Sequence, residues 1–351
     1  MRQCPPSAAL RLRSFFPVEA THIFKSKIFT GWYFSALSLW VVLFSVFNNI
    51  PFLIKNWFYP AMMVAGAFVA GFTPEGGGAV AFPVLSVFMH FDRAFARDFS
   101  MMIQSVGMTS ASVFILTESA EERATYKPLL WFVPTCGVGM VLGMLYLQKI
   151  PVYIIHALFL ALSATFVITY YFSDHRGPLT TLVINTNLEK VYLVVVLVVG
   201  GMISSLFGTG GDVIVYLLLV THFNMMAKKA CRMSIILQAS ISILGYSYRA
   251  FYDHGLTNYQ IRSWLCAFPV VLFMAPFGAY VLSKLHVNWM LKGIIALNIF
   301  QLMYFNLKDP TWPKVYASVI FTTILGVLFY FVLKHMSNRN KAILQQDPAG
   351  A

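Results

Sequence analysis

Charged residues are scarce in this chain, and acidic residues are the scarcest of them. Only 11% of the 351 residues are charged, with 13 Asp and Glu against 25 Lys and Arg, while 58% are hydrophobic. A soluble protein carries about 25% charged residues. Most of this chain must therefore face lipid or other helices, which excludes an ordinary water-soluble domain.

Patterns typical of metal, redox and hydrolytic sites are also absent. The four cysteines show no CxxC spacing, so nothing indicates a disulfide framework or a zinc site. The chain has no HExxH and no GxSxG motif. Thr209–Asp212 is similar to the acidic motif of intramembrane aspartyl proteases but lacks its first glycine, and the candidate partner Asp253 falls in a predicted loop. We expect no catalytic residue, no metal and no cofactor.

The net charge of +12 comes from Lys and Arg residues scattered over short loops and both chain ends. No dense basic run with interleaved aromatic residues occurs, so a nucleic-acid partner is not expected. Scattered basic residues in short loops are typical of membrane topology signals and of contact with anionic lipid headgroups.

Long apolar runs fill most of the chain after residue 28. A membrane-spanning helix needs about 20 mostly apolar residues, whereas barrel strands alternate in polarity. We therefore predict an all-α polytopic membrane protein with about 10–12 membrane segments. The predicted helices are 29–50, 58–73, 79–90, 99–117, 128–148, 151–172, 190–207, 212–223, 233–251, 262–284, 288–306 and 313–335.

Two stretches of the chain resemble each other at offsets of 132 to 134 residues. Glycine clusters, a His-Phe pair and a Ser-xxx-Gln spacing occur in the same order in both, which predicts two duplicated helical halves. The matched residues are Gly77 and Gly210, Gly78 and Gly211, His90 and His222, Ser100 and Ser234, and Gln104 and Gln238.

The duplication divides the chain into segments. We expect a basic cytoplasmic segment (1–28), an extra N-terminal transmembrane helix (29–50), a first transporter repeat (58–172), a linker (173–189), a second repeat (190–306) and a C-terminal transmembrane helix (313–335). Basic residues near both termini and in 224–232 predict cytoplasmic N- and C-termini in the cell membrane. An even number of crossings follows: twelve with inverted halves, or ten with parallel halves.

The glycine clusters lie before apolar segments of roughly 12 residues, or about 18 Å of helix, which are too short for a bilayer core of about 30 Å. Short, glycine-interrupted segments in matching positions of two halves point to the binding site of a secondary transporter. We therefore expect the glycine clusters 76–78 and 208–211 to lie near each other within the membrane. A helix that restarts after the break directs N–H groups and its positive dipole end at the gap, which suits an anion. Tight helix packing through small residues is the alternative.

The same residues carry a family resemblance. TPEGGGAVAFPVL at 73–85 and LFGTGGDVIV at 206–215 resemble the two repeat signatures of the sulfite exporter TauE/SafE family, also called the toluene-sulfonate uptake permeases. ARDFS at 96–100, CRMS at 231–234 and the small-residue-rich helix at 255–285 are similar to later family segments, so the resemblance covers about 58–306. It implies transport of sulfite, organosulfonates or related small anions. Thr73-Pro74-Glu75, Asp212 and Tyr216 depart from the family pattern.

Polar residues around the breaks complete the candidate site. Polar side chains at membrane depth usually face the bundle interior, where they bind substrate or link helices. The candidate substrate-binding residues are Gly76, Gly77, Gly78, Ser100, Gln104, Thr209, Gly210, Gly211, Ser234 and Gln238. The acids Glu75 and Asp212 are candidate coupling groups, because a carboxylate that changes its protonation with anion binding would link anion and proton movement. The alternative is that they cap helix starts.

Taken together, the sequence predicts a secondary transporter, a permease or exporter, that moves a small anion such as a sulfur oxyanion or organosulfonate. The partners would be that substrate and membrane lipids. An anion channel is the closest alternative, followed at a distance by an intramembrane enzyme. A membrane scaffold or receptor would leave the paired glycine clusters unexplained.

Overall fold

The computed structural model describes residues 24, 26–118, 120–172, 179–184, 186–284, 287–307 and 310–346. Most of the predicted basic segment 1–28 and the first part of the predicted linker, 173–178, lie outside the described residues. Within them the protein is helical, apart from one isolated bridge between Leu179 and Met225. The helices are α1 (Lys27–Phe47), α2 (Ile50–Lys55), α3 (Phe58–Phe72), α4 (Gly78–Pro83), α5 (Arg93–Glu118), α6 (Ala120–Thr125), α7 (Leu129–Tyr146), α8 (Val152–Phe172), α9 (Asn187–Phe207), α10 (Gly211–Thr221), α11 (Ala227–Ser247), α12 (Asn258–Lys284), α13 (Val287–Leu307) and α14 (Trp312–Gln346).

Six described helices are long and apolar enough to cross a membrane by length and composition: α1, α5, α7 with the turn that follows it, α9, α12 and the first part of α14. Four further apolar helical segments are shorter, namely Phe58–Phe72, Gly78–Phe88, Tyr153–Thr165 and Gly211–Thr221. The protein is therefore a multi-pass membrane protein with an all-helical fold.

The outermost helices expose apolar side chains. Only 11% of the apolar window is buried in α1 and in α14, against 78% in α5 and 72% in α12. Val46 on α1 and Phe331 on α14 are examples of large exposed hydrophobic side chains. An apolar surface of this extent suits contact with lipid rather than water, and it places α5 and α12 at the centre of the bundle.

Most predicted helices agree with the structure, and the differences have local causes. Helix α9 begins three residues before the predicted start, because Thr186 and Glu189 form a reciprocal capping box. The first predicted helix, 29–50, ends at Phe47, and the short helix α2 follows because Asn49 caps it by accepting a hydrogen bond from the Phe52 N–H. Pro83 ends α4, and Val84–Phe88 continues as a π-helical turn.

Each glycine break lies at the tip of a helical hairpin. After α4 the chain returns to the side where α3 began, since the Phe91 ring lies 6.4 Å from the ring of Tyr59 in the first turn of α3. After α10 it likewise returns to the start of α9, where His222 Nε2 lies 3.8 Å from Glu189 Oε1. The two hairpins are therefore α3–α4 and α9–α10.

Helices α5 and α11 run antiparallel, and an ion pair joins them at each end. Arg249, just after α11, binds Asp98 near the start of α5 at 2.9 Å, and Arg232 near the start of α11 binds Glu118 at the end of α5 at 2.7 Å. Twenty residues of helix separate Asp98 from Glu118, which is roughly 30 Å by helix rise. Helix α5 follows the α3–α4 hairpin and begins on the same side as it, and α11 follows the α9–α10 hairpin in the same way. Because α5 and α11 are antiparallel, the two hairpins enter from opposite sides and their tips meet.

Close helix crossings hold this arrangement. A Cβ atom on Gly71 of α3 would overlap the backbone of α12 at Ala275, and one on Gly201 of α9 would overlap the backbone of α7 at Cys136. Glycine is thus required where α3 crosses α12 and where α9 crosses α7. These crossings fix the hairpins against the rest of the bundle.

Candidate functional site

The two glycine breaks lie directly against each other. A Cβ atom built on Gly76 would lie 2.7 Å from Thr209 Oγ1, and one built on Gly78 would lie 2.7 Å from Thr209 Cβ. The contact between the two breaks that the sequence predicts is confirmed. Any side chain at these two glycines would force the breaks apart.

Left-handed backbone conformations produce both breaks. The φ angles are +71° at Gly76, +79° at Gly208 and +106° at Gly210, a region that glycine adopts without steric cost. Gly208 ends α9 as a left-handed cap whose N–H donates to Ser204 O at 2.8 Å. The glycines therefore stop one helix and start the next inside the buried bundle.

Two glutamines hold the second break from adjacent helices. Gln104 Nε2 on α5 donates to Gly208 O at 2.8 Å, and Gln238 Nε2 on α11 donates to the same oxygen at 3.2 Å. The amides donate further bonds to Ser100 O at 3.0 Å and Ser242 Oγ at 3.3 Å. These amide donors are therefore engaged by the protein itself, rather than turned towards a vacant position.

The candidate serines are brought to the site but donate to their own helices. Ser100 Oγ donates to Ala96 O at 2.7 Å, and Ser234 Oγ donates to Cys231 O at 2.9 Å. Sequence reasoning missed Ser204, which accepts from Gly211 N at 3.0 Å and donates to Gln238 Oε1 at 3.2 Å. Ser204 lies four residues before Gly208. The one sequence signal for it is that it forms, with Ser205, a pair of serines in an otherwise apolar helix.

The Asp212 carboxylate has two unlike oxygens. Oδ1 accepts from the N–H groups of Gly210 at 2.9 Å and Val213 at 3.1 Å, which is the helix-start role that the sequence suggests. Oδ2 is buried and has no hydrogen-bond partner among the described residues. Capping therefore accounts for one oxygen of this fully buried side chain and leaves the other unexplained.

At the first break, the Glu75 carboxylate also has one hydrogen-bonded oxygen and one oxygen without a partner. Its Oε1 accepts from Asn298 Nδ2 on α13 at 2.8 Å, while its Oε2 is buried without a partner in the described part of the chain. Gln301, one turn further along α13, donates to Ala79 O at 3.0 Å. Sequence reasoning missed Asn298 and Gln301, although two amides three residues apart in an apolar helix were a detectable signal.

Backbone donors differ between the two breaks. In the second break, Gly210, Gly211 and Val213 donate to Asp212 or Ser204. In the first break, no side chain of the described residues caps the N–H groups of Gly76, Gly77 and Gly78, and residues 74–77 form a hydrogen-bonded turn. The first break is therefore the one whose backbone donors are not engaged by side chains.

A small cavity adjoins the first break. It has a volume of about 10 Å³ and is lined by Gly77, Gln104 and apolar side chains that include Met63, Met108 and Val271. A space of this size holds about one water molecule. The space beside Gly77 is therefore narrow in this conformation.

Comparisons with known proteins agree with this architecture. The sequence model of the sulfite exporter TauE/SafE family matches residues 58–307, more than two thirds of the chain, and the match includes both hairpins and both breaks. A search of curated proteins and a search of solved structures gave no match. Members of the matched family are membrane transporters, which the sequence resemblance predicted. The chain therefore belongs to the TauE/SafE sulfite exporter family.

Proposed function

We propose that this protein is a secondary transporter that moves a small anion, a sulfur oxyanion or an organosulfonate, across the cell membrane. Its family supports anion transport as the general activity. The observation that carries the proposal is the contact between two glycine breaks, one of which has buried glycines whose N–H groups are capped by no side chain of the described residues. Anionic oxygens are the ligands that such donors bind most strongly.

The anion would be held at the first break. Backbone N–H groups of Gly76, Gly77 and Gly78 would bind its oxygens, and α4 restarts there with its positive dipole end towards the gap. Thr209 forms the opposing wall, and Gly210 and Gly211 follow it in the second break. The side chains of Gln104 and Gln238 would act by fixing the backbone of the second break. Ser100 and Ser234 would line the site while bonded to their own helices.

Two duplicated, inverted halves underlie the proposed mechanism. The first half would contain α3, α4, α5, α7 and α8 within residues 58–172, and the second α9 to α13, close to residues 190–306. The antiparallel course of α5 and α11, which occupy matching positions, supports inverted halves with twelve membrane segments over the ten-segment alternative. Two residue pairs that are each 135 positions apart, Pro134 with Pro269 and Gly143 with Gly278, add to the likeness between the halves.

Inverted halves suit alternating access, in which one half moves against the other around a fixed site. The space beside Gly77 holds about one water molecule, which favours a gated transporter over a wide pore. Basic residues in 1–28, 224–232 and near the C-terminus support cytoplasmic termini. The carboxylates of Glu75 and Asp212 are the proposed coupling groups.

Counterflow in reconstituted vesicles tests the proposed function. Vesicles containing the purified chain are loaded with sulfite, thiosulfate, an organosulfonate or a carboxylate, and the entry of the same labelled compound is followed. We expect transient accumulation of at least one sulfur oxyanion or organosulfonate above the level of protein-free vesicles. Equal traces with and without protein for every compound would contradict the proposal, and flux without accumulation would favour a channel.

A further inference from the structure

A cluster of acceptor atoms surrounds Gly76. A Cβ atom built on Gly76 would lie 2.7 Å from each of three oxygens: Asp212 Oδ2, Gln104 Oε1 and Thr209 Oγ1. No two of these oxygens are therefore farther apart than twice that distance. All three belong to residues that are at most 1% exposed.

Two of the three oxygens lack hydrogen-bond partners. Asp212 Oδ2 and Gln104 Oε1 are both buried and unpaired within the described residues. Thr209 Oγ1 donates its proton to Glu75 O at 2.9 Å, so it presents only lone pairs to the cluster. Leaving two buried acceptors unpaired is costly unless something positively charged or proton-donating lies between them.

A 180° rotation of the Gln104 amide would not give these unpaired acceptors a donor at lower cost. Its Nε2 donates to two carbonyl oxygens, those of Ser100 at 3.0 Å and Gly208 at 2.8 Å. Exchanging the amide nitrogen and oxygen would set an acceptor against both carbonyls. The amide oxygen of Gln104 is thus fixed on the side of Asp212.

The buried carboxylates also lack a basic partner. Within the described part of the chain, neither Asp212 nor Glu75 has a Lys, Arg or His side chain at ion-pair distance. Within the described residues, the ionisable groups that interact with Asp212 include Glu75 and the buried thiols of Cys136 and Cys231. None of these groups supplies positive charge, and buried charges are ordinarily paired or bound to a cation.

We infer that Asp212 Oδ2, Gln104 Oε1 and Thr209 Oγ1 form a binding site for one small monovalent cation, H⁺ or Na⁺. Oxygen acceptors without a competing donor are the chemistry that both ions require. A proton on Oδ2 would let Asp212 donate to Gln104 Oε1, and a sodium ion would be held by the three oxygens together. Either ion pairs both unsatisfied acceptors and neutralises the Asp212 charge.

The cation site and the anion site are adjacent but distinct. The cation would bind to side-chain oxygens around Gly76, and the anion to backbone N–H groups of Gly76–Gly78. A bound cation next to the first break would also offset the repulsion between Asp212 and an anion. Its role in coupling rests on the proposed transport function, whereas its binding does not.

Charge displacement on a solid-supported membrane measures the binding without any substrate. Vesicles containing the full chain are exposed to a jump in Na⁺, with choline as the replaced ion, and separately to a jump in pH at constant Na⁺. A cation entering the buried site moves charge part of the way across the membrane, so we expect a transient current. A response to Na⁺ identifies sodium, a response to pH identifies the proton, and a response to both indicates competition for one site.

The Asp212→Asn variant is the decisive comparison. An Asn amide places an N–H donor near Gln104 Oε1, which pairs this acceptor and removes the need for a cation. We expect its transient current to fall at least tenfold, to the level of protein-free vesicles. Glu189→Gln is the matched control, because Gln also completes a capping box and Glu189 lies far from the breaks along α9; it should keep the parent current.

A second variant guards against misfolding of Asp212→Asn. Gln104→Leu removes one ligand but keeps the carboxylate, so we expect the apparent cation affinity to fall by about tenfold or more. A parent protein that responds to neither jump, or an Asp212→Asn variant that responds like the parent, overturns the inference. Counterflow of the anion is measured separately, so a silent current with intact counterflow refutes the cation site and leaves the transport function standing.

Discussion

Gln104 and Gln238 donate hydrogen bonds to a single acceptor, the carbonyl oxygen of Gly208, at 2.8 Å and 3.2 Å. The two glutamines lie 134 positions apart on the antiparallel helices α5 and α11. They therefore clamp the end of α9 from both proposed halves. A movement of one half against the other must change at least one of these two bonds.

Replacing either glutamine with Leu should impair transport. Each change removes one of two donors to a buried carbonyl, and the lost hydrogen bond is worth about 1 kcal/mol. We therefore expect counterflow to fall about fivefold in Gln104→Leu and in Gln238→Leu, measured with equal amounts of folded protein. Because the donors share one acceptor, the double variant should lose more than the two separate losses predict. Parent-like rates in both single variants would remove the clamp from the mechanism.

Asn298 should matter for Glu75. Its Nδ2 donates to Glu75 Oε1 at 2.8 Å, so Asn298→Leu leaves a buried carboxylate without that donor. We expect counterflow to be reduced about tenfold or more. Asn306→Leu on the same helix is the control, because the bond that the described residues give Asn306 Nδ2 is to its own helix, at Leu302 O. If both variants behave alike, the contact between α13 and the break has no special role.

Asp98 should be important for stability. It is fully buried and binds both Arg97 at 2.7 Å and Arg249 at 2.9 Å. Asp98→Asn therefore leaves the buried Arg97 without this counter-charge, whereas the partly buried Arg249 keeps Asp253. Breaking a buried pair costs about 3–5 kcal/mol. Asp253, which also binds Arg249, is largely exposed, and Asp253→Asn should cost only about 0–1 kcal/mol. Thermal unfolding in detergent compares the two variants, and similar melting temperatures would contradict this account of the cluster.

Membrane topology separates inverted from parallel halves. In the inverted arrangement, exposed His90 and His254 share one face and exposed Met226 lies on the other. With cytoplasmic termini, cysteines introduced at His90 and His254 should react with an impermeant thiol reagent from outside the cell. A cysteine at Met226 should react only from the cytoplasm. Labelling of His90→Cys and Met226→Cys from the same side would support parallel halves instead.

The sequence was sufficient to predict the helices and the contact between the breaks. Apolar runs marked nearly all segments, and the repeated glycines marked the hairpin tips. It could not predict which donors are already engaged. Gln104 and Gln238 were expected to face an anion, but whether an amide faces a ligand or a carbonyl depends on how α5 and α11 pack. Asn298 reaches Glu75 across 223 positions, a contact that no local pattern encodes.

The two oxygens of Asp212 show the same limit. Its position at a helix start predicts capping, and Oδ1 does cap the helix. The unpaired Oδ2 and its closeness to Gln104 Oε1 depend on two hairpins meeting tip to tip. Periodicity and spacing describe one hairpin at a time, so the acceptor cluster emerges only from the assembled bundle.

Counterflow by Gly76→Ala, compared with Gly293→Ala, tests most directly whether the paired breaks are the transport site. A Cβ on Gly76 would lie 2.7 Å from three oxygens at a positive φ, whereas one on Gly293 would meet nothing within 4 Å. We predict that Gly293→Ala accumulates labelled sulfur oxyanion or organosulfonate like the parent, and that Gly76→Ala, present in the membrane at equal amount, does not. Parent-like accumulation by Gly76→Ala would contradict the account.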